Sequence, residues 1–161
     1  MPVTTTYIAF HLAFVLPALL AMVMLSWRRE TEPWARSLRL GLPVLVGLAV
    51  AYTTPWDNYL IARGVWSYAE GAVLARIGWA PVEEYAFFVL QTLLVGLWVP
   101  RFEVADVSTV TMTPRDRVVG VGVATVLGAL GVLGLVGIEE LMYMGAIVAW
   151  ATPVFALQWA F

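Results

Sequence analysis

The chain has no cysteine, no lysine and one histidine, and only 12% of its 161 residues are charged. Without cysteine there is no disulfide framework, and a single histidine argues against a protein-bound metal centre, so no metal site is assigned. A formal net charge of −2 leaves no basic surplus for a nucleic-acid partner. The scarcity of charge also excludes an ordinary soluble enzyme, in which about a quarter of residues are charged.

What fills the chain instead is apolar: 61% of residues are hydrophobic, and no Asp, Glu, Lys or Arg occurs in segments 1–27, 40–56, 85–100, 118–138 and 141–161. A bilayer core takes roughly 20 apolar residues per helix, with about 17 to 25 workable. Three segments are long enough outright, and the other two must borrow interfacial flanks. The expected fold is therefore all-α, a polytopic transmembrane helical bundle with about five spans at 7–27, 40–56, 82–100, 118–138 and 141–161. The first is not read as a signal peptide, because it has no basic leader and no small-residue cleavage site.

Arginine placement sets the expected orientation. Arg28, Arg29, Arg36 and Arg39 fill the loop after the first span, and Arg101, Arg115 and Arg117 lie in a polar connector with loop-forming Ser108, Thr109, Thr111, Thr113 and Pro114. Placing these arginines in the cytoplasm leaves Arg63 and Arg76 outside and makes the amino terminus external. The expected location is the cell membrane, as a multi-pass protein.

Gly120, Ala124 and Gly128 recur every four residues and give the fourth helix a face that a neighbour can approach closely. Gly120-Val121-Gly122 does not make a dinucleotide fingerprint, since Thr125 holds the third glycine position and no strand precedes it. No flavin or nicotinamide site, and no cofactor, is expected. Tyr7 and Pro17 are ten residues apart, as are Tyr143 and Pro153, and Ala13-Phe14 matches Ala149-Trp150 at the same offset of 136. This suggests a parallel repeat. Residues 1–117 would be a three-helix unit with its cytoplasmic connector, and 118–161 a linking helix plus the first helix of an incomplete second unit.

The densest chemistry is Pro81-Val82-Glu83-Glu84-Tyr85-Ala86-Phe87-Phe88. Pro81 suits a first helical turn, and acids just after it face the positive end of the helix dipole. A solvated helix start would account for that much. Yet Phe87 and Gln91 follow Glu83 at four-residue spacing, and Phe88 and Thr92 follow Glu84, so both carboxylates lead into the only polar face of this span. Ionisable groups at a span edge usually face a protein interior or cavity, which favours a functional reading. Adjacent carboxyls of low polarity surroundings do not both ionise easily, whereas the helix amino terminus favours ionisation, and sequence leaves that contest open.

Aromatic residues crowd the same region: Tyr52, Trp56, Tyr59, Trp66, Tyr68, Trp79, Tyr85, Phe87 and Phe88. They fit an interfacial belt, and equally a box of ring faces that stabilises a carbocation. Asp57 and Asn58 are read either as an ordinary turn or as groups that orient Glu83 or Glu84. His11 is read as a packing residue, and Glu139 and Glu140 as a solvated turn.

Thr54-Pro55-Trp56-Asp57-Asn58-Tyr59, then Gly64-Val65-Trp66-Ser67-Tyr68, then Pro81-Val82-Glu83-Glu84 resembles the integral-membrane lycopene beta-cyclases of archaea, actinobacteria and fungi. That family carries a Pro-x-Glu-Glu motif in each of two three-helix halves, fused or on two subunits. The resemblance implies cyclisation of the psi-ends of lycopene to beta-ionone rings, giving gamma- and beta-carotene without net redox. It implies Glu83 and Glu84 jointly as acid and base, with Trp56, Asp57, Asn58, Trp66, Tyr85, Phe87, Phe88 and Gln91 orienting the substrate or stabilising the cation. A second motif at the 136-residue offset would fall near position 219, so a second half is expected in the same longer chain or in a second subunit, with the bilayer and lycopene as the other partners. The alternative is a small non-enzymatic transporter or scaffold subunit with an acidic pair at its third helix.

Overall fold

Five helices follow the five uncharged segments in the computed structural model, which describes residues 6–27, 33–99 and 112–161, with the backbone alone for 27 and 33–39. Helix α1 comprises Tyr7–Phe10, a π-helical stretch His11–Val15, and Leu16–Trp27. The π stretch sits in the turn that Pro17 disrupts, since proline supplies no N–H and its ring crowds the carbonyl four residues earlier. Helix α2 is Pro33–Ala62, α3 is Val82–Trp98, α4 is Pro114–Gly137 and α5 is Met142–Ala160, with a 3₁₀ turn Glu139–Leu141 before α5. Tyr7–Ser26, Pro114–Gly137 and Glu139–Ala160 are long and apolar enough to cross a membrane. α3 is short at 17 residues, and α2 carries charge at both ends.

α2 departs from expectation. Its helix begins at Pro33, a residue suited to a first helical turn, so Arg36 and Arg39 are helical. It then runs through Pro43 and Pro55 to Ala62. Asp57 and Asn58 are therefore on its last turns, and the turn reading of this pair is corrected. The real stop comes at Gly64, whose φ of +72° opens a Schellman cap. There Val65 N–H donates to Leu60 O at 3.0 Å and Gly64 N–H to Ile61 O at 2.9 Å. Arg28, Arg29 and Arg101, on which the orientation rests in part, lie outside the described residues.

The chain divides into two compact units, Met1–Val104 and Ala105–Phe161. In the second, α4 and α5 form an antiparallel hairpin packed on small residues. The expected Gly120, Ala124, Gly128 face meets Trp159 and Thr152, and Gly131 continues it against the backbone of Ala149. Arg117 closes the hairpin's open end, its Nη1 donating to Ala160 O at 2.7 Å, where a cation complements the helix carboxyl terminus. A Cβ on Gly145 would run into the backbone of Gly131, Gly134 and Leu135. Gly145→Ala is expected to cost about 1–3 kcal/mol by forcing the helices apart, read as a lower thermal midpoint in detergent; an unchanged midpoint would contradict this packing.

In the first unit, the link between α2 and α3 ends in a small hairpin that sequence patterning did not reveal. Strand β1, Arg76–Ile77, pairs antiparallel with β2, Ala80–Pro81. Its two-residue loop has Gly78 at φ +68°, the glycine-first arrangement of a type II′ turn.

Candidate active site

α3 starts directly from the hairpin. Pro81 is its N-cap, with extended backbone (φ −61°, ψ 150°), one position earlier than the first turn expected for it. Glu83 and Glu84 thus fall in the first turn, beside the free N–H groups of the helix start. Their side chains diverge. Glu83 turns back to accept a 2.7 Å hydrogen bond from the Leu74 N–H, and its Oε2 is buried without a partner. Glu84 Oε1 accepts a hydrogen bond from the Tyr68 hydroxyl.

Four elements converge here: α1 brings Tyr7 and His11, α2 brings Asp57, the α2–α3 link brings Tyr68, and α3 brings the two glutamates. Tyr7 lies within electrostatic reach of Glu84, Asp57 and Glu83, and Tyr68 within reach of Glu84, Tyr7 and Asp57. The Tyr7 and Tyr68 rings stack at 5.8 Å, and the Tyr7 N–H donates to Ala72 O at 3.0 Å, tying the start of α1 to the link. Burial, with the Glu84 hydrogen bond second, holds the Tyr68 phenol well above its usual range, so it remains a donor. The Arg76 guanidinium lies 5.9 Å from the Tyr68 ring centre.

Glu83, His11 and Asp57 are 4%, 5% and 6% exposed, burial that charged or titratable groups tolerate only when something compensates them. His11 Nδ1 lies 2.9 Å from Tyr7 O; a carbonyl only accepts, so Nδ1 carries the proton in this contact. Nε2 is then left buried without a partner, as are Asp57 Oδ2, Thr54 Oγ1 and Glu83 Oε2.

Of the residues singled out by sequence, Glu83, Glu84 and Asp57 meet in this cluster. Phe87 packs edge-on to His11 at 5.9 Å, and Tyr85 edge-on to Phe88 at 6.2 Å. Asn58 bonds neither glutamate. Its Oδ1 instead accepts from Trp79 N at 2.7 Å and Ala80 N at 3.2 Å, and its Nδ2 donates to Thr54 O at 3.0 Å and to the Tyr85 hydroxyl at 3.1 Å. Tyr85 in turn donates to Ile77 O at 2.8 Å. Both residues clamp the hairpin to α2 and α3, and Gly78 is glycine partly because a Cβ there would lie 2.5 Å from Asn58 Oδ1. Trp56 stands edge-on to Tyr59 at 6.4 Å, Trp66 is half-buried in the link, and Gln91 is exposed two turns beyond Glu83. Tyr7 was read only as part of the repeat, Tyr68 only as one of the clustered aromatic residues, and His11 only as a packing residue. The four-residue spacing of Tyr7 and His11, polar positions on one face of an apolar helix, was the available signal.

From this cluster α1 and α3 run side by side in the same direction. His11 meets Phe87 near their starts. Towards their ends, Ala18, Ala21 and Met22 share an apolar cleft of about 320 Å³ with Leu94, Val95 and Trp98. Among the described residues, no group of three or more His, Cys, Asp or Glu is arranged to hold a metal ion.

Over 157 residues, 98% of its length, the chain is 44% identical to the lycopene beta-cyclase of Halobacterium salinarum strain R1, and equally to that of strain NRC-1. Over nearly its whole length, then, the chain is similar to lycopene beta-cyclases. It spans 65% of the length of these Halobacterium cyclases. Cyclase relatives also occur as parts of larger fungal proteins. A bifunctional lycopene cyclase/phytoene synthase of Sporisorium reilianum is 32% identical over 97% of this chain, which covers 23% of that protein. The corresponding protein of Aspergillus oryzae is 29% identical over 96% of the chain. No family model and no solved structure matches.

Proposed function

We propose that this chain carries the acid–base site of a lycopene beta-cyclase. The observation that carries the reading is the pair of buried Glu83 and half-buried Glu84, with buried Asp57, at the head of an apolar seam in a chain similar to proteins named for that reaction. The substrate is a hydrocarbon that dissolves in the bilayer, and it approaches through apolar surface. One carboxylic acid protonates the terminal double bond of a psi-end, and a neighbouring alkene attacks the resulting tertiary cation to close the ring. A carboxylate then removes a ring proton. Protons gained and lost cancel, so the product is an isomer. The Tyr68 hydroxyl bonds Glu84, the Tyr7 ring stacks on Tyr68, and Phe87 lies one turn beyond Glu83; such ring faces suit a passing positive charge. The apolar cleft along α1 and α3 suits the polyene chain behind the reacting end.

The test is expression in lycopene-accumulating cells, alone and together with the part of the Halobacterium cyclase that the chain does not cover, with pigments separated by chromatography. Conversion to monocyclic and bicyclic carotenes is the expected result. Unchanged lycopene in both arrangements would overturn the proposal, and a pH-dependent ion flux without pigment change would favour transport instead.

A further inference from the structure

An acid–base cyclisation, on whose reading the following rests, needs one carboxyl in the acid form and one as the anion. Glu83 and Glu84 share the first turn of α3, so the helix start acts on both alike and does not tell them apart. Their hydrogen bonds do. Glu83 is 4% exposed; its Oε1 accepts from the Leu74 N–H at 2.7 Å, and its Oε2 is buried with no partner among the described residues. A negative charge on that oxygen would go uncompensated. In the acid form, Oε1 is a carbonyl oxygen that an N–H can bond, and Oε2 carries a hydrogen that no protein acceptor takes, free for delivery to a double bond. Glu84 is half-buried and differs in kind. Its Oε1 accepts from the Tyr68 hydroxyl, a bond that favours the anion. The Arg76 guanidinium, fixed by a 3.1 Å bond to Trp79 O, stands 5.9 Å from the Tyr68 ring centre and adds positive charge on that side.

We propose that Glu83 is the acid and Glu84 the base of the cyclisation, with Tyr68 as the positioning residue that aims the base. The Glu83 O–H bond breaks as its hydrogen forms a C–H bond at the terminal alkene, leaving a tertiary cation. The next alkene closes the ring with its π electrons, which moves the charge to the ring carbon bearing a methyl group. Glu84 then takes a hydrogen from a neighbouring carbon, and the electrons of that C–H bond become the ring double bond. Glu83 ends ionised and Glu84 protonated, exchange with water restores both, and nothing is oxidised or reduced. Three carbons beside the cation carry hydrogen: the ring carbon attached to the polyene, the ring methylene and the methyl group. The base therefore decides where the ring double bond lies, and the acid does not.

Shortened side chains separate the two roles, in whichever preparation cyclises lycopene in the expression test. Glu84→Asp keeps a carboxyl but withdraws it by one methylene, a misplacement that costs on the order of 10²-fold in a positioned step. Loss of hydrogen from the methylene or the methyl group then competes, and displaced double bonds are expected in about a tenth of the rings or more. Tyr68→Phe keeps the ring, removes the hydroxyl that aims Glu84, and is expected to give the same displaced rings with both glutamates intact. A purely structural role for Tyr68 would lower the yield without moving the double bond. Glu83→Asp is expected to slow conversion by about 10-fold or more and to leave the double bond where the parent protein puts it. Chromatography separates the ring isomers, and nuclear magnetic resonance places their double bonds. Displaced double bonds from Glu83→Asp, or none from both Glu84→Asp and Tyr68→Phe, overturn the assignment; their absence from Tyr68→Phe alone removes Tyr68 from it. A parent protein that forms no ring in any arrangement overturns the cyclase reading itself, a separate outcome.

Discussion

Glu83→Gln and Glu84→Gln should each reduce ring formation from lycopene by on the order of 10²- to 10⁴-fold, the contribution of a positioned acid or base. Glutamine keeps the size and shape of glutamate, and its amide oxygen still accepts the Leu74 N–H at position 83 or the Tyr68 hydroxyl at position 84. The fold around each residue is thereby retained while the exchangeable carboxyl proton is lost. Pigment ratios by chromatography, normalised to protein in the membrane, measure the effect. Near-parental conversion by either variant would remove that glutamate from the chemistry. The corresponding change at Asp57 is a useful contrast, because Asp57 sits within electrostatic reach of Tyr7 and Tyr68 but outside the motif.

The second large effect is structural and falls on Asn58. Asn58→Leu fills similar space but removes the two hydrogen bonds that pin the hairpin to α2, the one that joins α2 to Tyr85 of α3, and the one to Thr54 O within α2. A typical intramolecular hydrogen bond contributes about 0.5–1.5 kcal/mol net, and a buried group left unpaired costs about 1–3 kcal/mol. Since the Trp79 N–H is exposed and regains water, a loss of about 2–4 kcal/mol is expected. It reads out as a lower thermal midpoint in detergent. Cyclisation should fall with it, because the hairpin delivers the chain into Glu83 and Glu84. Asn58→Asp keeps the two backbone N–H contacts to the turn and loses only the donors, so it should be milder; equal losses for the two variants would mean that the turn contacts carry nothing.

The spans were legible because charge is forbidden where lipid is the solvent, and runs without charge mark them directly. Glu83 and Glu84 were legible for the complementary reason, as charges leading straight into such a run. Asn58 was not. Its role is set by a turn some twenty residues later, and neither its type nor its spacing from the glutamates carries that information. Tyr7 and Tyr68 were masked differently, since tyrosine at a membrane interface is expected whatever its job, and only the folded chain brings the two rings together and Tyr68 onto Glu84. The continuation of α2 past Pro55 was hidden because proline breaks helices in water more reliably than among apolar helices, where neighbours satisfy the freed carbonyl.

The π-helical stretch His11–Val15 has a bearing on how chain length can vary. A regular helix turns each residue by about 100°, so losing one residue elsewhere in α1 would rotate Tyr7 away from the face that carries Ala18 and Met22. A π stretch holds roughly one residue more than a regular turn would. Deleting one residue between His11 and Val15 would leave an ordinary helix with both faces in place, making this the position in α1 where relatives can gain or lose a residue without disturbing either the carboxyl cluster or the cleft.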